Sequence, residues 1–407
     1  MDAPLSHIRV LDLSRILAGP WASQMLADIG AEVIKVERPA GGDDTRHWGP
    51  PYLEDDTGNA TEESAYYLAA NRGKKSITVD ISSKKGQKVI RRLAEQSDVV
   101  IENYKLGGLV KYGLDYDSLN AINSRLVYCS ITGFGQTGPY ASRPGYDFLL
   151  QAMGGLMSIT GEADELPGGG PQKVGVAVTD LFTGLYAANA IQAALIERDK
   201  SGTGQHIDLA LLDVQVACLA NQATNYLIGG VVPHRYGNAH PNIVPYQVFE
   251  TNDDFIILAV GNDAQFRRFC EVASCVELAD DQRFATNRSR VLNRDTLIPK
   301  IAERIAGQTR RHWLDNLEAV GVPCGPVNTI DQVFEDPQVK SRNMQINMQH
   351  PSRDELPLVA NPIRLSKTPV EYKQAPPTLG QHTESILAEA LGYDDTTIVA
   401  LRREKVI

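Results

Sequence analysis

Short apolar runs alternate along the first half of the chain with segments whose apolar residues recur at helical spacing. The runs expected to be buried strands are residues 8–13, 31–36, 98–102 and 126–131. The segments expected to be helices are residues 21–29, 84–96 and 181–198. Strands separated by helices need crossover connections, which produce a mostly parallel sheet covered on both faces. The pattern therefore predicts an α/β fold with a parallel sheet in a large N-terminal domain.

The character of the chain changes near residue 200, where a Ser-Gly-Thr-Gly turn follows the long helical segment. A later segment has its own predicted strand at residues 255–260, and a Pro-rich stretch precedes a helical tail from Thr383 onward. We expect five parts: residues 1–200 (large domain), 201–232 (linker), 233–325 (smaller α/β domain), 326–375 (extended Pro-rich segment) and 376–407 (C-terminal part).

Composition excludes several classes of protein. Forty basic and fifty acidic residues give a formal charge of −10, which argues against sequence-independent binding of nucleic acid. No apolar run reaches the roughly 18 to 20 residues that span a membrane, and the first residues lack a secretory apolar core. Five scattered cysteines suggest neither a disulfide framework nor a zinc site. We expect a soluble cytoplasmic protein with no nucleic-acid or membrane partner.

One carboxylate stands out, because the apolar run at residues 175–179 delivers Asp180 to the start of the long predicted helix. Thr and Asp are favoured as helix N-caps, where a side-chain oxygen accepts free backbone N–H groups. The same position would also suit a nucleophile. From these residues alone, capping is the favoured interpretation.

Three other motifs are weak. Residues 133–138 match the Gly-x-Gly-x-x-Gly fingerprint after a strand, but residues 139–145 are turn formers where that fingerprint needs a helix. His234 and His240 lack an acidic or Cys partner at ligand spacing, so we predict no metal. No Gly-x-Ser-x-Gly segment is present, which argues against a serine hydrolase of that type.

Cations follow strands and loops in the N-terminal half. Each is typical of a solvated surface charge when taken alone. Together they could hold a phosphate-rich ligand, since Arg forks suit phosphate and stack on adenine. The candidates are Arg38, Arg46, Arg72, Lys74, Lys75, Lys105, Lys111 and Arg143.

Several ordered segments resemble one family over almost the whole chain. Residues 11–14, 18–20 and 26–39 resemble the opening of class III coenzyme A-transferases, the formyl-CoA and carnitine-CoA transferase family. Further matching segments follow in order at residues 42–46, 71–77, 102–104, 130–135, 174–180, 202–205 and 380–383. The resemblance implies a Rossmann-like large domain built from both chain ends, a smaller domain, and two subunits threaded into an interlocked homodimer. The Pro-rich segment would then wrap a surface.

The resemblance implies that Asp180 is the nucleophile. With an ordinary pKa of about 3.9 it would be ionised at pH 7 and need no general base to attack an acyl-CoA thioester. Attack would give a mixed anhydride, then an aspartyl-CoA thioester, and an acceptor carboxylate would reverse these steps. Coenzyme A enters as a substrate, so we expect no cofactor. A loop of the smaller domain, at residues 259–262 with Gly261, would close the site against water.

The resemblance also implies binding residues. The residues expected to contact coenzyme A are Arg38, Arg72, Lys74, Lys75 and Lys111. We add Arg143 of the Gly-rich loop to this set. Residues expected around the acyl group are Trp48, Tyr66, Tyr146 and Gly261.

Departures from the family pattern narrow the substrate. Tyr146 stands where racemases of the same fold have histidine, and Leu17 stands where formyl-CoA:oxalate enzymes have glutamine. The segments at residues 42–51, 128–133, 215–219, 225–229 and 243–247 resemble members that move coenzyme A from succinyl-CoA to glutarate. The remote carboxylate of a dicarboxylic acid would want a cation, and the candidates are Arg46, Arg235, His234 and His240. An acyl-CoA racemase or hydrolase of the same fold, and a noncatalytic CoA-binding protein, remain alternatives.

Overall fold

The computed structural model describes residues 2–407, which divide into two compact units. The first unit contains the described residues up to 156 together with residues 174–224 and 340–407. The second unit contains residues 157–173 and 225–339. The first unit is therefore assembled from three separate stretches of chain.

The strands of the described chain are, in order, β1 (Arg9–Asp12), β2 (Glu32–Glu37), β3 (Tyr52–Glu54), β4 (Ala60–Ser64), β5 (Lys74–Thr78), β6 (Val99–Glu102), β7 (Val127–Thr132), β8 (His206–Ala210), β9 (Tyr246–Glu250), β10 (Phe255–Ala259), β11 (Cys324–Pro326), β12 (Gln345–His350) and β13 (Arg353–Val359).

The helices are α1 (Ala18–Asp28), α2 (Ala65–Ala69), α3 (Lys84–Glu95), α4 (Tyr116–Asn120), α5 (Asp147–Met153), α6 (Leu156–Ile159), α7 (Val178–Ser201), α8 (Leu211–Ala217), α9 (Ala220–Gly229), α10 (Asp263–Val272), α11 (Val276–Asp280), α12 (Asn287–Leu292), α13 (Arg294–Ala306), α14 (Arg310–Ala319), α15 (Ile330–Glu335), α16 (Pro337–Ser341), α17 (Thr383–Leu391) and α18 (Asp395–Arg403). Short 3₁₀ turns cover Asp44–His47 and Val110–Tyr112.

A six-stranded parallel sheet forms the centre of the first unit, in the order β5-β2-β1-β6-β7-β8. Successive residues of its strands face opposite sides. Val10 and Val33 join one apolar cluster, whereas Leu11 and Ile34 join another on the other side. Two buried faces explain why neighbouring strand residues such as Val33 and Ile34 are both apolar rather than alternating with polar ones. The predicted α/β class and parallel sheet are confirmed.

The long helix α7 lies against α1. Gly184 allows this approach, because a Cβ there would lie 2.8 Å from the carbonyl oxygen of Ala18 and 3.0 Å from the Trp21 side chain. The helix begins at Val178 rather than at residue 181. Asp180 is therefore inside its first turn, and Ala177 occupies the N-cap position.

The C-terminal helices α17 and α18 belong to the first unit. Their Ile386, Leu387 and Leu401 join the same apolar cluster as Leu11 and Ile34. The side of the sheet that carries this cluster is thus completed by residues more than 340 positions away in sequence.

The second unit has a three-stranded antiparallel sheet in the order β11-β10-β9. Its own apolar cluster includes Phe266, Phe269, Phe284 and Trp313. It therefore has a core that is separate from the two clusters of the first unit.

The Pro-rich stretch after residue 325 is more regular than expected. It contains α15, α16 and the antiparallel hairpin of β12 and β13 before an extended part at residues 360–378. Pro337 takes the first position of α16, where its missing N–H costs no hydrogen bond. Pro357 lies in a two-stranded hairpin, where an unpaired strand edge tolerates proline. Proline content alone thus overestimated the length of the extended chain.

Across residues 2–407, the helices are all too short or too polar to cross a lipid bilayer.

Candidate functional site

The first turn of α7 is capped from outside the helix. Oδ1 of Asp147, at the start of α5, accepts hydrogen bonds from the backbone N–H groups of Thr179 at 2.8 Å and Asp180 at 3.4 Å. Its Oδ2 accepts a 2.7 Å bond from Nε2 of Gln151, which is fully buried. Free N–H groups at a helix start need an acceptor, and Asp147 supplies it. The capping interpretation of Asp180 is therefore wrong.

The carboxylate of Asp180 itself is unengaged. Within the described residues, no hydrogen bond or ion pair ends on it, and it is partly buried. Burial, with a smaller contribution from the negative charge of Asp147, raises the pKa of Asp180 to about 7. The expectation of an ordinary pKa is wrong, because the pattern of residues 175–180 could reveal neither the burial of this carboxyl group nor the second carboxylate contributed by α5.

Asp180 opens into a cavity of about 460 Å³ in the first unit. Trp48 and Tyr146 line this cavity, as do Arg15, Lys105 and Arg143. The cavity thus combines two carboxylates, those of Asp180 and Asp44, with aromatic walls and three cations.

Tyr66 lies beside the same cavity. Its ring packs edge-on against Trp48, with 5.1 Å between the ring centroids. Burial, and next the negative charge of Asp180, raise the pKa of Tyr66 to about 12. The structure therefore brings Trp48, Tyr66 and Tyr146 together near Asp180, and their contact with an acyl group stays a prediction.

The Gly-rich loop after β7 forms one wall of this cavity. Its glycines permit the loop to cross itself, because a Cβ on Gly133 would lie 2.6 Å from the Cα atom of Gly145. No helix opens directly after Gly138: residues 139–142 form turns, and the next helix, α5, begins at Asp147. The loop instead delivers Arg143, whose guanidinium lies 4.6 Å from the ring centroid of Tyr140.

A second cavity of about 870 Å³ adjoins the first. Arg15, Tyr104 and Lys105 line both cavities, so the two lie side by side, and together they are called the groove below. The larger cavity is strongly basic. Its exposed cations are Arg38, Lys105, Lys111, Arg402 and Lys405.

Sequence reasoning found some of these cations and missed others. Arg38 and Lys111 were predicted, and both line the larger cavity. Arg402 and Lys405 were missed, because they come from the end of α18 and no local motif connects them to the N-terminal half. Arg15 was also missed, although its position directly after β1, at the carboxyl end of a parallel strand, is a usable signal.

Arg72 and Lys74 serve internal ion pairs instead. Arg72 donates two hydrogen bonds to Asp28, at 2.6 and 2.8 Å. Lys74 is fully buried, 3.4 Å from Asp12 and 2.8 Å from Asn71, and burial lowers its pKa to about 7. Neither side chain lines the two cavities.

Lys75 is likewise engaged on the surface of the first unit. Its ammonium group lies 2.7 Å from Glu32, which also pairs with Arg9. Its side chain lines neither of the two cavities.

Arg46 is also buried. Its guanidinium contacts Glu37 at 2.8 Å and Glu63 at 2.6 Å, and it lies 3.7 Å from the centroid of the Tyr67 ring. Its hydrogen bonds are used inside the protein, and it lines neither cavity. The geometry therefore offers this arginine a structural role and gives its predicted substrate role no support.

The remaining predicted residues belong to the second unit. Arg235 is buried, donates to the backbone oxygens of Ser158 and Glu162, and forms an ion pair with Asp164. Gly261 donates its backbone N–H to Gln265 at 2.7 Å. The role of Gly261 in closing a site stays a prediction.

The two histidines of this unit each lie against a tyrosine. His234 is 4.2 Å from the Tyr236 ring and His240 is 5.3 Å from the Tyr246 ring, measured between centroids. Burial lowers the pKa of His240. Throughout residues 2–407, no group of three or more His, Cys, Asp or Glu side chains could hold a metal ion.

Comparison with known proteins gives a consistent result. The sequence profile of CoA-transferase family III matches residues 5–383. A succinate–glutarate CoA-transferase of Agrobacterium fabrum is 54% identical over 386 residues, covering 95% of each chain. A human succinyl-CoA:glutarate CoA-transferase is 46% identical over 404 residues, covering 99% of this chain and 90% of the relative. The crystal structure of a Brucella suis CAIB/BAIF family protein matches with a TM-score of 0.84 and 51% identity, over 96% of this chain and 100% of that one.

Proposed function

The chain belongs to CoA-transferase family III, and we propose that it moves coenzyme A from succinyl-CoA to glutarate, with Asp180 as the nucleophile. Relatives of 54% and 46% identity carry that activity in their names. The observation that carries the proposal is the unengaged carboxylate of Asp180, at one end of a groove whose other end is basic.

Coenzyme A fits this groove by charge and shape. Its nucleotide carries the phosphates, which suit the cations of the larger cavity. Its pantetheine arm would pass between Arg15, Tyr104 and Lys105, which line both cavities. The thioester would then reach Asp180 and the aromatic residues Trp48 and Tyr146.

The chemistry proceeds by four substitutions at carbonyl carbons. A carboxylate oxygen of Asp180 attacks the thioester carbon of succinyl-CoA, the C–S bond breaks, and the thiolate leaves a mixed anhydride. The thiolate then attacks the Asp180 carbonyl of this anhydride and releases succinate, leaving an aspartyl-CoA thioester. Glutarate attacks that thioester and displaces the thiolate. The thiolate finally attacks the glutaryl carbonyl, which forms glutaryl-CoA and regenerates the carboxylate. Each attacking group is already an anion and each leaving group is an anion, so no step needs a general base or acid.

The raised pKa of Asp180 has a role in this scheme. A carboxylate that is poorly solvated is more reactive toward a carbonyl carbon than one stabilised by hydrogen bonds or cations. The cost is that the raised pKa favours the protonated, unreactive form of Asp180 in the ligand-free protein as pH falls below neutrality. We therefore propose that the rate of the first step rises with pH near neutrality.

The remote carboxylate of glutarate needs a cation in the Asp180 cavity. Arg15 is already paired with Asp44 at 3.0 Å, and Lys105 also lines the larger cavity that we assign to coenzyme A. Arg143 lines only the smaller cavity, and none of the carboxylates in residues 2–407 forms an ion pair with it. We assign the remote carboxylate to Arg143, in place of Arg46.

The oligomer and the compartment are further parts of the proposal. An exposed apolar run includes Leu227, Ile228, Val231 and Val232, which are 71–84% exposed. Exposed apolar patches commonly mark protein interfaces, and this run supports the homodimer, interlocked as in the resemblance. The cysteine pattern supports a reducing compartment, so we place the protein in the cytoplasm.

The direct test is a transfer assay. We expect the wild-type protein, given succinyl-CoA and glutarate, to form glutaryl-CoA detectable by mass spectrometry, and an Asp180→Ala variant to form none. Release of free coenzyme A without glutaryl-CoA would favour a hydrolase, and exchange of an α-proton without transfer would favour a racemase. Binding of coenzyme A without turnover of any thioester would leave only the noncatalytic alternative.

An Asp147→Asn variant tests the charge next to the nucleophile. Asparagine keeps an oxygen for the N–H groups of Thr179 and Asp180 but removes the negative charge that helps to raise the pKa of Asp180. We expect the rising limb of kcat/KM against pH to move to lower pH by up to about one unit. Asp213→Asn, on the exposed face of α8, is the matched control and should leave the limb in place. An unshifted limb in Asp147→Asn would contradict the assigned electrostatic effect.

A further inference from the structure

The end of α18 supplies part of the wall of the larger cavity. Arg402 and Lys405 line it together with Arg38 and Lys111, although they come from the opposite end of the chain. Neither residue belongs to a motif that the sequence associates with coenzyme A. Both side chains are therefore placed to contact a ligand bound in the larger cavity.

The segment that carries Lys405 is firmly held. The backbone N–H of Val406 donates to the carbonyl of Leu401 at 2.9 Å, and the carbonyl of Val406 accepts a 2.7 Å bond from the N–H of Asp80. The Val406 side chain is buried in the core cluster of the sheet. Lys405 is therefore presented to the cavity by a fixed backbone rather than by a loose tail.

The backbone conformation at Lys405 is unusual for its residue type. Its φ of 58° lies in the left-handed region, which favours glycine. The ends of α7 and α17 and of the second 3₁₀ turn adopt the same conformation with Gly202, Gly392 and Gly113. A lysine at this position accepts conformational strain that a glycine would avoid, and such strain is common at functional sites.

Lys405 is also free of internal ion pairs. Its neighbours Arg402 and Glu404 are paired, with Glu384 at 2.5 Å and with Lys85 at 2.6 Å. In the described part of the chain, no carboxylate forms an ion pair with Lys405. The exposed ammonium group is thus available for an anion in the cavity.

The positions of the two cavities relative to Asp180 indicate which anionic group of the ligand Lys405 contacts. The thioester must lie at Asp180, and the residues common to both cavities mark the passage between them. Lys405 lines only the larger cavity, so it belongs to the end of the ligand that is far from the thioester. In coenzyme A that end is the adenosine with its ribose 3′-phosphate, a monoester that carries nearly two negative charges at neutral pH.

We infer that Lys405 binds the ribose 3′-phosphate of coenzyme A and lets the protein distinguish coenzyme A from its 3′-dephospho form. The inference rests on the proposed function, since it takes coenzyme A as the ligand of the groove. Arg402, which is paired with Glu384, lines the same cavity.

Lys405→Gly separates binding from folding. Glycine relieves the left-handed strain, so we expect the melting temperature to stay the same or rise. Removal of the ammonium group should weaken binding of coenzyme A by about 5–30-fold in titration calorimetry, and leave 3′-dephospho-CoA binding unchanged. Lys405→Arg should restore most of the preference, and Lys88→Ala, which removes an exposed charge outside the cavity, should change neither affinity.

The outcomes are distinct. Equal weakening for both ligands would assign Lys405 to the pyrophosphate and overturn the inference, as would unchanged affinity for coenzyme A. A wild-type protein that binds both ligands equally would also overturn it while leaving the proposed function intact. A wild-type protein that binds neither would remove the proposed function itself.

Discussion

Replacement of Asp180 by asparagine is expected to lower the rate of CoA transfer by at least about 10³-fold while coenzyme A still binds. The amide keeps the shape of the carboxylate but cannot form an anhydride, so the covalent route is lost. The groove that takes the nucleotide is unchanged, since its cations lie in the larger cavity. Glutaryl-CoA formation in steady-state assays and coenzyme A affinity by calorimetry would measure the two effects separately.

The same variant has a predicted effect on stability. The pKa of Asp180 is raised in the folded protein, so its ionised form destabilises the fold. The protonated form carries no such cost, so the fold keeps its full stability below the ordinary carboxyl pKa of about 3.9. That stability is lost as the pH rises through about 7, where Asp180 ionises in the folded protein. At pH 8, Asp180→Asn should therefore raise the free energy of unfolding by about 1–2 kcal/mol, and at pH 4 the gain should vanish. A loss of stability at pH 8 would contradict the unengaged state of this carboxylate.

Arg46→Ala is expected to cause the largest loss of stability, about 3–5 kcal/mol in the free energy of unfolding. The variant leaves Glu37 and Glu63 buried without the guanidinium that they share, and it removes the contact with the Tyr67 ring. Urea unfolding followed by circular dichroism would measure the change. Pairing the substitution with Glu63→Gln should recover part of the loss, because one uncompensated charge is then removed.

Arg38→Ala provides the matched comparison for Arg46. Arg38 is exposed, pairs with Asp44 and lines the larger cavity. We expect its removal to raise the Michaelis constant for succinyl-CoA with little change in unfolding. If the Arg46→Ala variant were as stable as the wild type and had a raised Michaelis constant for glutarate, Arg46 would instead be assigned to binding of the acceptor acid.

Much of the fold followed from pattern because its strands are buried on both faces. Residues 31–36 and 126–131 are mostly apolar for that reason, and the structure places strands within one residue of both ranges. Helix α7 shows the limit of the method: it was predicted to begin at residue 181 but begins at Val178, where the acceptor Asp147 caps its first turn. The pattern of apolar residues indicates which residues are buried. The residue at which a helix begins can depend instead on a hydrogen-bond acceptor from a distant part of the chain.

The basic residues show why the site was harder to predict. Lysine and arginine have the same local appearance whether they bind a ligand or a buried carboxylate. Arg72 meets Asp28 across 44 positions, and Arg46 meets the carbonyl of Pro377 across 331 positions. The resemblance pointed to Asp180, Trp48 and Tyr146, which line one cavity, but it could not separate internal cations from those of the groove.

The discontinuous first unit has a consequence for synthesis of the protein. One side of its sheet is covered by Ile386, Leu387 and Leu401. A nascent chain that has left the ribosome only as far as residue 340 has all six strands, and α3 already packs on that side, but the part that α17 and α18 cover is still exposed. Residues 225–339, in contrast, contain nearly all of the second unit and can fold as soon as they emerge. Premature termination before α17 should thus yield a chain in which the second unit is folded and the sheet of the first unit exposes apolar surface. We expect such a chain to be bound by chaperones or degraded by proteases rather than to act as a smaller enzyme.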